Sequence, residues 1–363
     1  MVYGDASYID ENGKVIGRFP AAQTDYAKLR RGYVHIPQQS AFFRGDLWRK
    51  VGPLDDSFYF AMDYDLWVRL AANAPLHYYP RMWANFRLHS GAKTIAADDR
   101  YFASSPSDPL YRFAYYPHNI HFAMVSAQMG GDRATALDAA RRLDASIAPE
   151  VALKFPIMQP VKAAPFATHA LFGDAESILR LAAPPEELLL VRAMYHYARA
   201  VAHAQRLDIR GAKAEIAILE RLERDGDFRP FADWQVPAKE VIQTARLVAT
   251  GRLADALGDL EAAAKAYEDA IFLEDSLAYM EPPYWHYPVR QSLGSVRLRQ
   301  GRLDDAERAF RDSLARVRNN GWALAGLAET YRRKQEPRSE RATRAALARA
   351  WFGPAAGPDL SRL

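Results

Sequence analysis

The 363-residue chain contains no cysteine. Disulfide bonds, zinc sites built on thiolates and thiol nucleophiles are therefore excluded. The sequence also has no apolar run of about 18 residues that would span a bilayer, and no segment near its start resembles a signal peptide. These features predict a soluble, cytoplasmic protein without a transmembrane segment.

The excess of positive charge is small. Lys and Arg number 48 against 44 Asp and Glu, which gives a net charge of +4. The positive residues form no basic stripe that would follow a phosphate backbone, so we expect no nucleic-acid partner. Because 49% of the residues are apolar, the chain can bury a substantial core, and its length suits two domains.

The composition changes near residue 95. Before that point, short β-like runs are dense in aromatics and punctuated by Gly and Pro, whereas Ala, Arg, Leu and Glu dominate afterwards. Residues 96–108, which include the run Ser-Ser-Pro-Ser, have the composition of a linker. We therefore predict an α/β domain over 1–95, a linker over 96–108 and a helical domain over 109–363.

A fixed spacing repeats in the helical part. Its small and aromatic positions are Gly251, Gly258, Ala263, Tyr267 and Ala270, and again Gly294, Gly301, Ala306, Phe310 and Ser313. The spacing puts a small residue where two helices touch, a glycine at the turn and an aromatic beneath the next pair. This pattern is typical of tetratricopeptide repeats of about 34 residues. It predicts a mostly α fold, an α-α superhelix whose helix pairs bury their apolar faces by stacking.

One repeat is longer than the others. Gly251 and Gly294 are 43 positions apart, and the extra length falls at residues 274–290. An insertion in a stacked-repeat protein often emerges on the binding face, so we expect a functional surface there.

Two hypotheses account for the polar and aromatic residues of this insertion. In the first, Glu281 and Arg290 hold a polar ligand on which Trp285 or Tyr287 stacks, with His286 beside them. In the second, the rings fill a gap between irregular repeats while Glu281 pairs with Arg290.

Histidines suggest a further possibility. His118 and His121 are three residues apart, which puts both imidazoles on one face of a helix at a spacing that can bind a metal. His196 and His286 occupy comparable points of later repeats and would converge on them. The alternative is a helix start with packed histidines, which Pro117 would suit.

Residues 109–363 resemble a bacterial tetratricopeptide-repeat family with the motifs PHNxHF, EPPxWxYPVR and NGWALxGL. These correspond here to residues 117–122, 281–290 and 320–327. Members usually carry further repeats before PHNxHF, and this chain has none there. The resemblance implies a helical-repeat protein of poorly defined biochemical role and no catalytic residue.

Residues 1–94 resemble the second half of a family-2 glycosyltransferase with the GT-A fold. Four ordered strings carry this likeness, VYGDASYIDENGKVIG, IPQQSAFFRGDLWRKVGPLDDSF, MDYDLWVRLA and FRLHSGAKT. The resemblance implies a small α/β fragment of a GT-A domain. The nucleotide-binding half and its metal-binding D-x-D motif would lie before the first residue.

The transferase resemblance implies roles for several residues. Asp63 would be the base that takes the proton from an acceptor hydroxyl, favoured in its ionised form by a helix N-terminus. Asp65 would be a helper or a cap, and Arg69 would pair with either carboxylate.

The same resemblance implies binding residues. Gln38, Gln39 and Ser40 would line the acceptor side, while His89 and Lys93 would lie near the donor diphosphate, with His89 approaching the metal. The cofactors would be Mn²⁺ or Mg²⁺ and a nucleotide-sugar. Without the missing half, we expect no cofactor for this chain alone.

Three functions are compatible with these features. The leading hypothesis is an interaction scaffold that binds a protein or peptide on the concave face of the repeats and on residues 274–290. The second is an inverting glycosyltransferase that is active only when the missing half is supplied. The third is a small-ligand or metal-binding repeat protein that uses His118, His121, His196 and His286.

Overall fold

The structure, a computed structural model, describes residues 1–9, 15–19, 21–30, 35–54, 62–87, 116–278 and 280–363. The chain divides into two compact units, one of Met1–Ser107 with Tyr279–Glu281 and one of Asp108–Ala278 with Pro282–Leu363. Helices predominate, and the described strands all belong to the first unit, so the prediction of a mostly α protein with a small sheet is confirmed. The expected linker over 96–108 lies outside the described residues.

The first unit is organised around strand β1, Val2–Ile9. Strand β4, His77–Arg87, runs parallel to it and covers one edge along its full length. The other edge takes two short antiparallel strands, β2 at Val15–Arg18 and β3 at Ala41–Phe42. Strand β1 is therefore paired on both of its edges.

In the described part of the first unit, three helices accompany this sheet, α1 at Tyr26–Leu29, α2 at Gly45–Val51 and α3 at Met62–Asn73. A 3-10 turn, Gln38–Ser40, precedes β3. The buried side chains of α3 pack with residues of β1 and of the loops in a single core. That core comprises Tyr3, Leu29, Ile36, Leu66, Trp67, Leu70 and Leu76.

The second unit is built from helices. They are α4 (Tyr116–Gly130), α5 (Arg133–Ser146), α6 (Pro149–Lys154), α7 (Gln159–Phe172), α8 (Ala175–Leu179), α9 (Leu189–Gln205), α10 (Ile209–Asp225), α11 (Arg229–Ala232), α12 (Ala238–Ala256), α13 (Leu260–Ser276), α14 (Arg290–Arg299), α15 (Leu303–Arg316), α16 (Gly321–Arg333) and α17 (Pro337–Ala350). Consecutive helices pack as the pairs α4–α5, α9–α10, α12–α13, α14–α15 and α16–α17, and neighbouring pairs contact one another.

The turns within these five pairs share one backbone geometry. Each contains a residue with positive φ, and these residues are Gly131, Leu207, Gly258, Gly301 and Gln335. At Gly258 and Gly301, the residue that follows donates its N–H to the carbonyl five positions earlier, a hydrogen bond that ends a helix in a left-handed turn. The prediction that these two glycines lie at turns is confirmed.

Glycines also permit close contact between paired helices. A Cβ atom on Gly251 would lie 2.6 Å from the ring of Tyr267, and one on Gly294 would lie 2.8 Å from the ring of Phe310. The ring of Phe310 also lies against Gly326 in the following pair. The aromatic residue of the repeat therefore packs on the glycine of its own pair, and in one case on the next pair as well.

The first and last helix pairs of this unit are in contact. The indole N–H of Trp322 in α16 donates to the carbonyl of Gln128 in α4 at 2.8 Å, and α16 packs against α4. A buried cluster joins both ends of the unit and contains Ala127, Ala136, Leu171, Phe172, Trp322 and Leu363. Within the described ranges, no helix has the length and apolarity needed to cross a membrane.

Candidate functional site

The acidic residues at the start of α3 differ in their contacts. Asp63 accepts a hydrogen bond from the backbone N–H of Tyr64 at 2.9 Å. Asp65 forms an ion pair with Arg69 at 2.7 Å, four residues along the helix. The structure therefore assigns Asp65 to a pair with Arg69 and leaves Asp63 outside that pair.

Arg69 also holds the end of α2 near α3. Its guanidinium donates to the carbonyls of Val51 at 2.7 Å and of Pro53 at 2.9 Å. A side chain with this many protein partners has a positioning role in the first unit, since each of its donors is already engaged.

The other expected binding residues of the first unit differ in their exposure to solvent. Gln38 and Gln39 are exposed, whereas Ser40 is fully buried and donates its hydroxyl to the carbonyl of Gly4 at 2.7 Å. His89 and Lys93 lie outside the described residues.

The aromatic residues of the insertion are inside the second unit. Trp285 is 2% exposed, His286 is 7% exposed and Tyr287 is buried as well. The rings therefore form no exposed surface, and their burial agrees with the hypothesis that they fill a gap between repeats. They lie against α9, where Trp285 meets Tyr197 edge-on with ring centroids 5.3 Å apart.

Arg290 begins α14 and is anchored to the end of α13. Its guanidinium pairs with Asp275 at 2.5 Å and lies 3.6 Å from Glu274. Arg316 also pairs with Asp275. In this anchor, two neighbouring carboxylates of α13 balance the charge of Arg290.

Glu274 is nearly enclosed at this anchor. It accepts the backbone N–H of Val289 at 3.2 Å, and its side chain is 10% exposed. Burial raises the pKa of Glu274 to about 7, although the charges of Arg316 and Arg290 oppose that rise. A carboxyl group in this state takes up or releases a proton near neutral pH.

The predicted histidines are dispersed. His118 and His121 share one face of α4, and burial lowers the pKa of His118 to about 4 and that of His121 to about 3. The Nδ1 atom of His196 instead lies 2.6 Å from a carboxylate oxygen of Glu215, and Glu215 also accepts a hydrogen bond from Arg199. Among the residues that the structure describes, no three His, Cys, Asp or Glu side chains are grouped as metal ligands.

One group of interior polar side chains was only partly identified from the sequence. Its members are contributed by α9, α12, α13 and the insertion, and are joined by ring contacts and by the electrostatic effect of Arg252 on its neighbours. We name it the Arg252 cluster, and it consists of Tyr197, Arg252, Tyr267, Trp285, His286 and Tyr287.

Sequence reasoning identified three residues of the Arg252 cluster because they belong to the insertion, and named Tyr267 only as a packing residue. The remaining signal was Arg252 itself, an arginine directly after the helix-contact glycine Gly251.

No protein-family model matches the chain. A search of curated proteins also finds no match.

Proposed function

We propose that the second unit is a tetratricopeptide-like superhelix and that the protein is an interaction scaffold. The repeated helix pairs support this proposal, because a left-handed turn recurs in each pair and the contact between a glycine and an aromatic ring sixteen positions later recurs in two of them. Stacked pairs of this kind bind partners along their extended surfaces, and each pair contributes only local contacts.

The observation that carries the proposal is an exposed phenylalanine beside a groove. Phe272 in α13 is 78% exposed, although it lies within a well-packed helix pair. An open groove of about 240 Å³ adjoins it, lined by Gln243, Arg246, Leu247, Asp269, Phe272 and Leu273. A large apolar side chain at the rim of a mixed polar groove is typical of a protein contact.

The groove favours a protein or peptide that inserts an apolar side chain. Arg246 already pairs with Glu223 at 2.6 Å, so its charge is largely balanced within the protein. The groove therefore offers a partner mainly the apolar area of Phe272 and Leu273, and Gln243 and Asp269 lie at its edge. The proposed contact lies between α12 and α13, the two helices of one pair.

Capture of a partner from the source cells tests this proposal. The tagged wild-type chain is expected to retain a reproducible protein partner, and Phe272→Glu is expected to lose it because a charge replaces the apolar contact. Leu257→Glu, at another exposed position of the same helix pair, is the matched control and is expected to retain the partner. Equal capture by all three proteins, or capture of nothing by the wild type, contradicts the proposed contact.

A glycosyltransferase function in a larger assembly is the second candidate, supported by the position of Asp63 in the first turn of α3. A base there suits the proton transfer of an inverting reaction. The described residues do not fit the divalent metal of such an enzyme, because Asp65 is engaged by Arg69 and no group of three ligands is present among them. We therefore derive no step through a metal.

Titration calorimetry with UDP- and GDP-sugars in the presence of Mn²⁺ tests the second candidate. Binding heat that Asp63→Asn retains, together with sugar transfer that this variant loses, would support it. Absence of heat with every nucleotide-sugar would exclude transferase activity of this chain alone.

A further inference from the structure

The Arg252 cluster contains a positive charge without a counterion. Arg252 is half-buried, its Nη1 atom is inaccessible to solvent, and its guanidinium has no hydrogen bond or ion pair with any residue in the described part of the chain. The nearest acidic residue on its own helix, Asp255, is engaged by Arg299. Removing a cation from water without a direct partner is costly, and no side chain in the described part of the chain pairs directly with Arg252, although Asp255 attracts it at longer range.

Several buried polar atoms around this cation also lack partners. They are the hydroxyl of Tyr267, the indole N–H of Trp285 and both ring nitrogens of His286. All three residues are more than nine-tenths buried. Buried polar groups are normally hydrogen-bonded, so these four atoms are open to hydrogen bonds with a polar group that enters the cluster.

Ring contacts hold these groups together. The ring of His286 lies 4.8 Å from that of Trp285 and 4.6 Å from that of Tyr287, and Tyr197 contacts both Trp285 and His286. Tyr267 packs on Gly251, the residue before Arg252. The polar atoms are thus set among apolar ring faces.

The protonation states of the cluster define what it offers. Burial, with the charge of Arg252 adding to it, lowers the pKa of His286 to about 3, so the imidazole is neutral at pH 7. Burial raises the pKa of Tyr267, which keeps its hydroxyl as a donor. The cluster therefore offers one positive charge, several N–H and O–H donors and one imidazole nitrogen as an acceptor.

We propose that the Arg252 cluster is the binding site of a small organic carboxylate. The carboxylate would accept hydrogen bonds from the guanidinium of Arg252 and from neighbouring donors, while its apolar part packs between the rings. This inference goes beyond the scaffold function and does not depend on it, because the cluster is distinct from the groove beside Phe272.

Charge balance favours a carboxylate over a phosphate. A carboxylate carries one negative charge, which matches the single unbalanced charge of Arg252. A phosphate dianion would leave a second negative charge among apolar rings, where an unpaired charge is costly. The guanidinium fork also matches the two oxygens of a carboxylate.

Thermal unfolding and titration of the full chain with acetate, propionate and benzoate test the proposal. At constant ionic strength, at least one of these carboxylates is expected to raise the Tm in a concentration-dependent way, whereas acetamide, propionamide and benzamide are not. Phosphate is expected to produce a smaller shift than the carboxylate that binds best.

Variants assign the effect to the cluster. Arg252→Met is expected to keep its Tm in buffer alone, since it removes an unbalanced charge, and to lose the carboxylate-dependent shift. Arg210→Met, which changes an exposed arginine in α10, is the matched control and is expected to respond as the wild type does. Tyr267→Phe, which removes one donor and keeps the ring, is expected to weaken binding about tenfold.

Three results would overturn the proposal. They are the absence of any carboxylate-dependent shift in the wild type, an equal shift with the amides, and an equal shift in Arg252→Met and Arg210→Met. If Arg252→Met does not fold, Arg252→Lys provides the decisive comparison. It keeps the charge and loses the fork, so unchanged affinity in a folded Arg252→Lys protein would also contradict the proposed hydrogen bonding.

Discussion

The indole of Trp322 donates its N–H to the backbone carbonyl of Gln128, a residue 194 positions earlier in the chain. Trp322 also meets Trp351 edge-on, with ring centroids 5.3 Å apart. Trp351 in turn covers Gly131 and Gly321, where added Cβ atoms would lie 2.2 and 2.6 Å from its ring. One tryptophan pair thus ties the last helix pair of the second unit to its first.

Replacing Trp322 by Phe is expected to destabilise the protein measurably. The change removes the N–H donor, leaves the buried carbonyl of Gln128 without this hydrogen bond and keeps most of the ring. The free energy of unfolding should fall by about 1–3 kcal/mol in urea denaturation. Trp234→Phe, at a side chain 41% exposed, is the control and should change it by less than about 0.5 kcal/mol. Equal effects of the two variants would contradict the role of the Trp322 hydrogen bond.

Trp285→Ala is expected to affect folding before it affects binding. The side chain is 2% exposed and packs on Tyr197, so its removal leaves a cavity and should cost about 3–5 kcal/mol of unfolding free energy. Phe272→Ala is the matched exposed control and should cost little. A Trp285→Ala protein as stable as the wild type would show that the insertion is not packed as described.

Stability should depend on pH through Glu274. Burial raises its pKa from 4.5 to about 7, so the folded state binds the proton more tightly than the unfolded state. The stability that accompanies the protonated carboxyl is fully present below pH 4.5 and is lost as the pH rises through 7. Glu274→Gln should therefore gain stability relative to wild type between pH 4.5 and pH 8, by on the order of 3 kcal/mol.

Urea denaturation of both proteins across this pH range measures the difference for Glu274. Glu220→Gln, at an exposed site, is the control and should follow the wild type throughout. A difference between Glu274→Gln and wild type that stays constant with pH would mean that Glu274 has an ordinary pKa.

The contact of Gly326 with Phe310 should appear as coupling between mutations. A Cβ atom at Gly326 would lie 2.1 Å from the ring, so Gly326→Ala should cost about 1–3 kcal/mol through overpacking. In the double variant with Phe310→Leu, the smaller side chain relieves the clash, and the total cost should be less than the sum of the single costs. Gly326→Ala combined with Phe231→Leu is the control and should be additive.

Local features of the second unit were predictable because their causes are close in sequence. The helices follow from apolar residues three and four positions apart, and turns such as those at Gly258 and Gly301 follow from the left-handed backbone that glycine adopts readily. The contact between Gly251 and Tyr267 was not predicted, because the spacing suggested that the aromatic ring lies beneath the next helix pair.

The functional assignments were harder to predict because they depend on distant neighbours. The spacing indicated an insertion at residues 274–290, but whether its rings face solvent depends on α9, which begins 85 residues earlier and supplies Tyr197. The sequence did not reveal that the half-buried Arg252 lacks a direct ion pair, because that depends on Asp255 pairing with Arg299 instead.

By itself, the sequence determined that this protein is mostly helical and where two of its helix pairs turn, at Gly258 and Gly301, because backbone preference and residue spacing are local properties. Only the tertiary structure decided that Trp322 meets Gln128, that Trp285 is buried and that Arg252 is half-buried without a hydrogen-bond partner. Burial and charge pairing arise from contacts between residues tens to hundreds of positions apart, and no local pattern specifies which of those contacts form.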